Sequence, residues 1–147
     1  MGEVRTALVS ACTTEGWTWD APAEVLWKDT KFVRVTLGYN NNIILRGRTA
    51  ITTGDAPTSV WIRNYSDADA PASNTITFPL TYHIFVFAEE VFCTVNYATF
   101  DYQMVAFGKS SQCDHIGTGM WVYAPITSTV TTGYRFMRVP NNKYGHY

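Results

Sequence analysis

The stretch that decides the fold is YHIFVFAEEVFCTVNY, residues 82–97. Its two halves are rich in aromatic and β-branched residues, and Glu89-Glu90 separates them, which is typical of two strands joined by a tight hairpin. Residues 102–108 repeat the pattern after a short connection. The sequence therefore predicts a three-stranded antiparallel meander at the centre of the protein.

Apolar residues of this meander, with one tryptophan further along, are expected to form the core. The predicted core residues are Phe85, Phe87, Val91, Cys93, Val95, Val105, Phe107 and Trp121. Cysteine spacing adds little to this picture, because the chain has three cysteines and no CxxC pair. We expect reduced thiols, with Cys93 acting as a small buried hydrophobic residue.

The remaining elements follow from local periodicity. Apolar residues at helical spacing predict one helix over residues 3–15, and Gly16 is a suitable stop. Further strands are predicted at residues 31–37, 43–46, 59–63, 120–123 and 134–139. Strands at this spacing predict a mainly β, single-domain antiparallel sandwich or barrel over residues 1–139, with one short N-terminal helix and a C-terminal arm at residues 140–147.

Composition excludes several classes of protein. The chain has 147 residues and a formal net charge of -1, so its main task is not to grip nucleic acid phosphates. No apolar run approaches the ~20 residues that span a bilayer, and no secretory leader is visible. Charged residues are 16% and aromatic residues 15% of the chain, which excludes disorder and favours association, because interface cores are poor in charge and rich in aromatic side chains. The alternative is a β-rich monomer whose aromatic residues fill its own core.

A search for catalytic chemistry gives no specific site. Cys113-Asp114-His115 is the one cluster with catalytic residue types, but neighbouring strand residues point to opposite faces. Glycine-rich phosphate loops, metal-ligand spacings and cofactor motifs are not recognisable, so we expect neither an enzyme nor a cofactor. Aromatic residues on a β-surface could stack on sugars, which leaves a carbohydrate-binding module that recognises a host surface as the alternative function.

Four segments resemble a group of small virion structural proteins of tailed bacteriophages. They are residues 78–85, residues 95–97, residues 101–109 with Phe107-Gly108 at a strand end, and residues 117–121 with a glycine pair before Trp121. The pattern is imperfect, since Thr118 splits the glycine pair and Ile84 stands where leucine is usual. The resemblance covers about a third of the chain. It implies a non-enzymatic structural subunit of the tail or baseplate, assembled in the bacterial cytoplasm into the virion.

Two segments are predicted to contact neighbouring subunits. Residues 64–77 are small, polar and acidic and include Asp67 and Asp69, so they are costly to bury within the core. The tail 140–147 carries Tyr144 and Tyr147, whose side chains give a large contact area at a low entropic cost. The expected partners are copies of the same chain and other virion proteins, without nucleic acid or membrane.

Overall fold

The computed structural model describes residues 1–38, 41–56, 59–62, 79–98, 101–109, 120–123 and 145–146; at 98, 101–102, 120–121, 123 and 145–146 it describes the backbone alone. These residues contain one helix and ten strands. In chain order they are α1 (Gly2–Thr14), β1 (Thr18–Asp20), β2 (Val25–Lys28), β3 (Lys31–Leu37), β4 (Ile43–Arg48), β5 (Val60–Ile62), β6 (Thr81–Val86), β7 (Glu90–Ala98), β8 (Asp101–Lys109), β9 (Met120–Tyr123) and β10 (Gly145–His146).

The strands form two antiparallel sheets, each built from one half of the chain. The first sheet has the order β1-β2-β3-β4-β5 and the second the order β10-β9-β8-β7-β6. Strands β3, β4 and β5 pack against β8 and β9, and both sheets contribute to one core cluster. The predicted mainly β sandwich is thus confirmed, whereas a barrel is not formed because the two sheets are not closed.

The central meander and the hairpin of the first half are confirmed in type and order. Strands β6, β7 and β8 follow one another as predicted from residues 82–108, and β3 pairs with β4 in register from Leu37–Ile43 to Phe32–Arg48. The strands predicted at 59–63 and 120–123 correspond to β5 and β9. The strand predicted at 134–139 lies outside the described residues.

The predicted core is confirmed at five positions and wrong at two. Val91, Cys93, Val95, Val105 and Phe107 are fully buried. Phe85 and Phe87 are instead 51% and 57% exposed. The hairpin register pairs Phe85 with Phe92 and Ile84 with Cys93, so the even-numbered residues of β6 share the inner face with the odd-numbered residues of β7. The side chain of Trp121 is outside the described part.

Helix α1 ends as its sequence predicts. Gly16 adopts φ +83, its amide donates to Thr13 O, and the Trp17 amide donates to Cys12 O, which together form a Schellman motif. Val4, Leu8 and Cys12 lie on one helical face and are buried. The helix contacts β1, β3 and β6, so it covers the side of the sandwich where the edge strands of the two sheets lie.

Polar contacts connect the two sheets near their hairpin turns. The ammonium group of Lys31, 2% exposed, lies 2.9 Å from Glu89 Oε2, and Lys109 Nζ donates to Thr30 Oγ1 at 2.7 Å. Thr30 lies in the first sheet's β2–β3 connection and Lys31 begins β3. These bonds therefore fix the β6–β7 turn and the end of β8 against this part of the first sheet. In the described ranges no helix is long and apolar enough to cross a membrane.

Candidate interaction surfaces

An exposed group of aromatic rings covers the outer face of the second sheet where β6 and β7 meet. We call it the aromatic face, and its members are His83, Phe85, Phe87 and Phe92. The His83 and Phe85 rings stack at 6.5 Å between centroids, and Phe87 meets Phe92 edge-on at 6.0 Å. Register continues the row from Phe85 through Phe92 to the buried Ala106 on β8. Three of its four members are phenylalanines and His83 is the polar one, so the face is mostly apolar.

Strand β6 is an edge strand whose own residues lack the features that commonly protect a sheet edge. It stands at the end of the second sheet and pairs with β7 on one side. Its six residues, 81–86, include no charge, proline or glycine, although natural edges are commonly blunted by such residues. Of the edge strands in the described part, β1, β5 and β10 have only two or three residues each. The aromatic face therefore adjoins the longest described sheet edge.

A second surface lies on the outer face of the first sheet. Three arginine side chains converge there on the carboxylate of Asp55, and we call these four residues the arginine cluster. Arg48 Nε donates to Asp55 Oδ1 at 2.7 Å, while Arg34 and Arg46 donate to Oδ2 at 2.9 Å and 3.3 Å. Arg34 and Arg46 stand directly opposite each other on β3 and β4.

The cluster holds Asp55 in its ionised form. Burial of the Asp55 carboxyl raises its pKa, but the hydrogen bonds from Arg48 and Arg34 and their positive charges outweigh this effect, so the pKa lies below its ordinary value. Arg48 also donates to Ile51 O at 2.7 Å and thereby ties residues 51–55 to the sheet. The cluster thus holds residues 51–55 against the first sheet and also concentrates positive charge on its outer face.

A neighbouring ion pair extends the charged region toward α1. Arg5 of the helix lies 2.8 Å from Glu24 Oε1 and donates through Nε to Val35 O at 2.9 Å. Arg34 Nη2 is 3.7 Å from the second oxygen of Glu24. Together with the arginine cluster, this region has four guanidinium groups and two carboxylates, an excess of two positive charges.

The two described cysteines are structural. Burial raises the pKa of the Cys12 thiol to about 12, an effect to which nearby Cys93 adds, and burial also raises the pKa of Cys93 to about 12. Both are reduced and fully buried. A thiol with such a pKa is protonated at neutral pH and is a poor nucleophile.

The residues predicted from sequence to carry contacts or chemistry fall outside the described part. These are Asp67, Asp69, Tyr144 and Tyr147 for the interface, and Cys113, Asp114 and His115 for the catalytic alternative. The tail itself is described at Gly145–His146, where its backbone pairs with Val122 and Trp121 of β9. At these two residues the tail therefore lies on the protein's own second sheet and does not stand away from it.

Neither surface is predicted from the sequence, although the sequence contains part of the information needed for each. Phe85 and Phe87 of the aromatic face are predicted from sequence as core residues, because alternation along β6 shows that every second residue faces inward but not which set does so. The pairing of Arg34 with Arg46 follows from the predicted hairpin once its register is known. Asp55 has no such signal, because it reaches the arginines from a connection outside the hairpin.

Neither surface contains a metal-binding group. Across the described ranges, no three His, Cys, Asp or Glu side chains are placed to hold a metal ion. Comparison of the chain with family models, curated proteins and solved structures gives no match.

Proposed function

We propose that this chain is a structural subunit of a tailed-phage virion, in the tail or baseplate, and that it acts through contacts with copies of itself and other virion proteins. The observation that carries the proposal is the aromatic face beside the edge strand β6. The resemblance of four segments within residues 78–121 to virion proteins supports the choice of particle. The aromatic face supports the contact-forming role independently of that resemblance.

The energetics favour a protein partner for this face. Phe85 and Phe87 each leave about half of the side chain exposed, and covering both would contribute roughly 2 kcal/mol from apolar burial. Exposed apolar patches of this kind on soluble chains commonly mark interaction sites. The adjoining strand β6 is the end strand of its sheet among the described residues, which is the position where an added strand pairs through its backbone. A neighbouring subunit could therefore gain apolar contact and main-chain pairing at one place.

Carbohydrate binding remains the alternative function, and the aromatic face fits it less well. Phenylalanine rings can stack on a sugar but cannot bond its hydroxyl groups, and the members of the face other than His83 offer no side-chain polar atom. Among the tryptophans whose side chains the structure describes, Trp61 is the exposed one, at 40%, and it lies on the other sheet. The two aromatic surfaces are thus separated, which permits them to be tested separately.

The test compares a double variant, Phe85→Ser with Phe87→Ser, with the matched variant Trp61→Ser. Sedimentation velocity over a range of concentrations should show association of the unaltered chain and of Trp61→Ser, whereas the double variant should remain monomeric. Its melting temperature should change little, because the removed rings are half exposed. Complementation of the phage should give fewer particles with the double variant. Normal association and normal particles would refute the proposal.

Two further observations separate the functions. If the chain is a virion subunit, genes beside its own should encode sheath, tube or tail-fibre proteins. If it binds glycan, a glycan array should give binding that Trp61→Ser or the double variant abolishes, with quenching of tryptophan fluorescence on addition of the sugar.

A further inference from the structure

The arginine cluster contains more cations than its role in the fold requires. Arg48 ties both ends of residues 51–55 to the sheet, because it binds Asp55 Oδ1 and Ile51 O at 2.7 Å each. Arg34 supplies a second short bond to the same carboxylate. Within the described residues, Arg46 makes one hydrogen bond, of 3.3 Å, to the oxygen that Arg34 already binds. Arg46 therefore contributes little to holding residues 51–55 against the sheet.

The position of Arg46 is also unfavourable for the isolated chain. Like charges directly opposite each other on neighbouring strands are destabilising, and Arg46 faces Arg34 in this way. The single negative charge of Asp55 offsets only one of the three guanidinium charges in the cluster. The side chain of Arg46 is 34% exposed, so its unused donors are open to an outside group.

The surroundings of Arg46 resemble the centre of a protein contact. Trp61 pairs with Ile44, two residues from Arg46 on the same face, so Trp61 is a diagonal neighbour of Arg46. Arginine and tryptophan are the residue types that most often dominate the binding energy of protein interfaces. The exposed Trp61 ring and the exposed part of Arg46 thus offer an apolar and a cationic contact side by side.

We propose that the arginine cluster binds the carboxylates of an acidic segment of a neighbouring protein in the particle, with Arg46 as the principal ligand. The guanidinium group matches a carboxylate through two parallel hydrogen bonds. The excess of two positive charges over the local carboxylates supplies the complementarity. Nucleic acid is disfavoured, because a row of its phosphates is usually bound by a longer stripe of basic side chains, whereas this chain as a whole carries a net charge of -1. This inference rests on the proposed role as a subunit and names the chemistry of one contact.

The experiment uses fluorescein-labelled hexaglutamate as the probe and measures its anisotropy with the purified full chain in low salt. Arg46→Gln should weaken hexaglutamate binding about tenfold, since it removes one charged ligand and leaves the bonds of Arg48 to Asp55 and Ile51 in place. Lys28 lies outside the cluster and donates to Glu15 O. Lys28→Gln therefore removes one charge elsewhere, and this variant should bind hexaglutamate as tightly as the unaltered chain. About 0.5 M sodium chloride should abolish binding through screening.

Three results would overturn the inference. The first is equal hexaglutamate binding by Arg46→Gln and the unaltered chain, and the second is an equal loss with Lys28→Gln, which would indicate a general charge effect. The third is tighter binding of a labelled thymidylate hexamer than of hexaglutamate, which would indicate a phosphate site. Circular dichroism confirms that each variant is folded. Because peptide binding is measured on the free chain, the result does not depend on whether the aromatic face mediates assembly.

Discussion

At the scale of single residues, two phenylalanines of the same meander have opposite roles. Phe107 is fully buried and meets Trp17 edge-on at 5.5 Å, whereas Phe85 is 51% exposed. The sequence predicts that each belongs to a half-buried strand, and both strands exist. It does not reveal which set of alternate residues faces inward, because that depends on the number of residues in the connecting turn. A difference of one residue in the turn reverses the face.

We expect Phe107→Ala to destabilise the protein by about 3–5 kcal/mol, because it leaves a cavity at the point where the helix end meets the second sheet. Phe85→Ala serves as the matched control and should change the free energy of unfolding by less than about 1 kcal/mol, because its ring is largely in solvent. Urea denaturation followed by tryptophan fluorescence and circular dichroism measures both. Equal costs for the two variants would contradict the assignment of inner and outer faces.

At the scale of elements, the close approach of β8 to the β6–β7 turn explains why glycine follows Phe107 at the strand end. A Cβ atom at position 108 would lie 2.5 Å from Glu89 O and 3.0 Å from Glu90 Cα. Gly108 pairs with Glu90, and the amide of Lys109 donates to Glu89 O at 3.1 Å. Glycine is therefore needed for close approach of β8 to the β6–β7 turn, and its backbone does not require a positive φ.

Gly108→Ala should cost about 1–3 kcal/mol, because the added methyl group meets backbone atoms that cannot move without disturbing the turn. Gly54→Ala is the control, since a Cβ there has no heavy atom within 4 Å. It should be neutral, or stabilising by up to about 1 kcal/mol through reduced freedom of the unfolded chain. Thermal and urea unfolding of the pair provide the comparison. An unchanged stability of Gly108→Ala would show that the turn adjusts freely.

The elements also show which parts of the fold can be predicted from local sequence patterns. The helix is predicted at residues 3–15 and found at Gly2–Thr14, because its apolar spacing and the Gly16 stop are both local signals. The β3–β4 hairpin is predicted for the same reason. The charged contacts between elements, such as Arg5 with Glu24 or Lys31 with Glu89, join positions 19 and 58 residues apart. No local pattern specifies such pairs, so the arginine cluster and the bridge between the sheets emerge only in the folded chain.

At the scale of the whole molecule, strand order follows chain order within each sheet. Every strand pair therefore joins consecutive strands, which explains why a sandwich could be predicted from sequence. The packing of one sheet on the other, and of α1 on both, depends on contacts between the two halves of the chain. These contacts leave one sheet with an aromatic outer face and the other with a cationic one, so the molecule presents two chemically different surfaces.

The C-terminal tail is the remaining segment that is predicted to contact neighbouring subunits. Because its described residues pair with β9 at two positions only, its deletion is expected to have a small effect on stability. Deletion of residues 140–147 removes the two-residue strand β10, so the melting temperature should fall by no more than about 4 °C. The same deletion removes Tyr144 and Tyr147 and should impair particle formation. A double variant, Tyr144→Ala with Tyr147→Ala, keeps the backbone that pairs with β9 and isolates the contribution of the aromatic side chains. If these tyrosines anchor the chain to a neighbouring subunit, the double variant should melt like the unaltered chain and yet assemble poorly in a complementation assay. Normal particles from the double variant but not from the deletion would assign the role of the tail to its backbone pairing with β9.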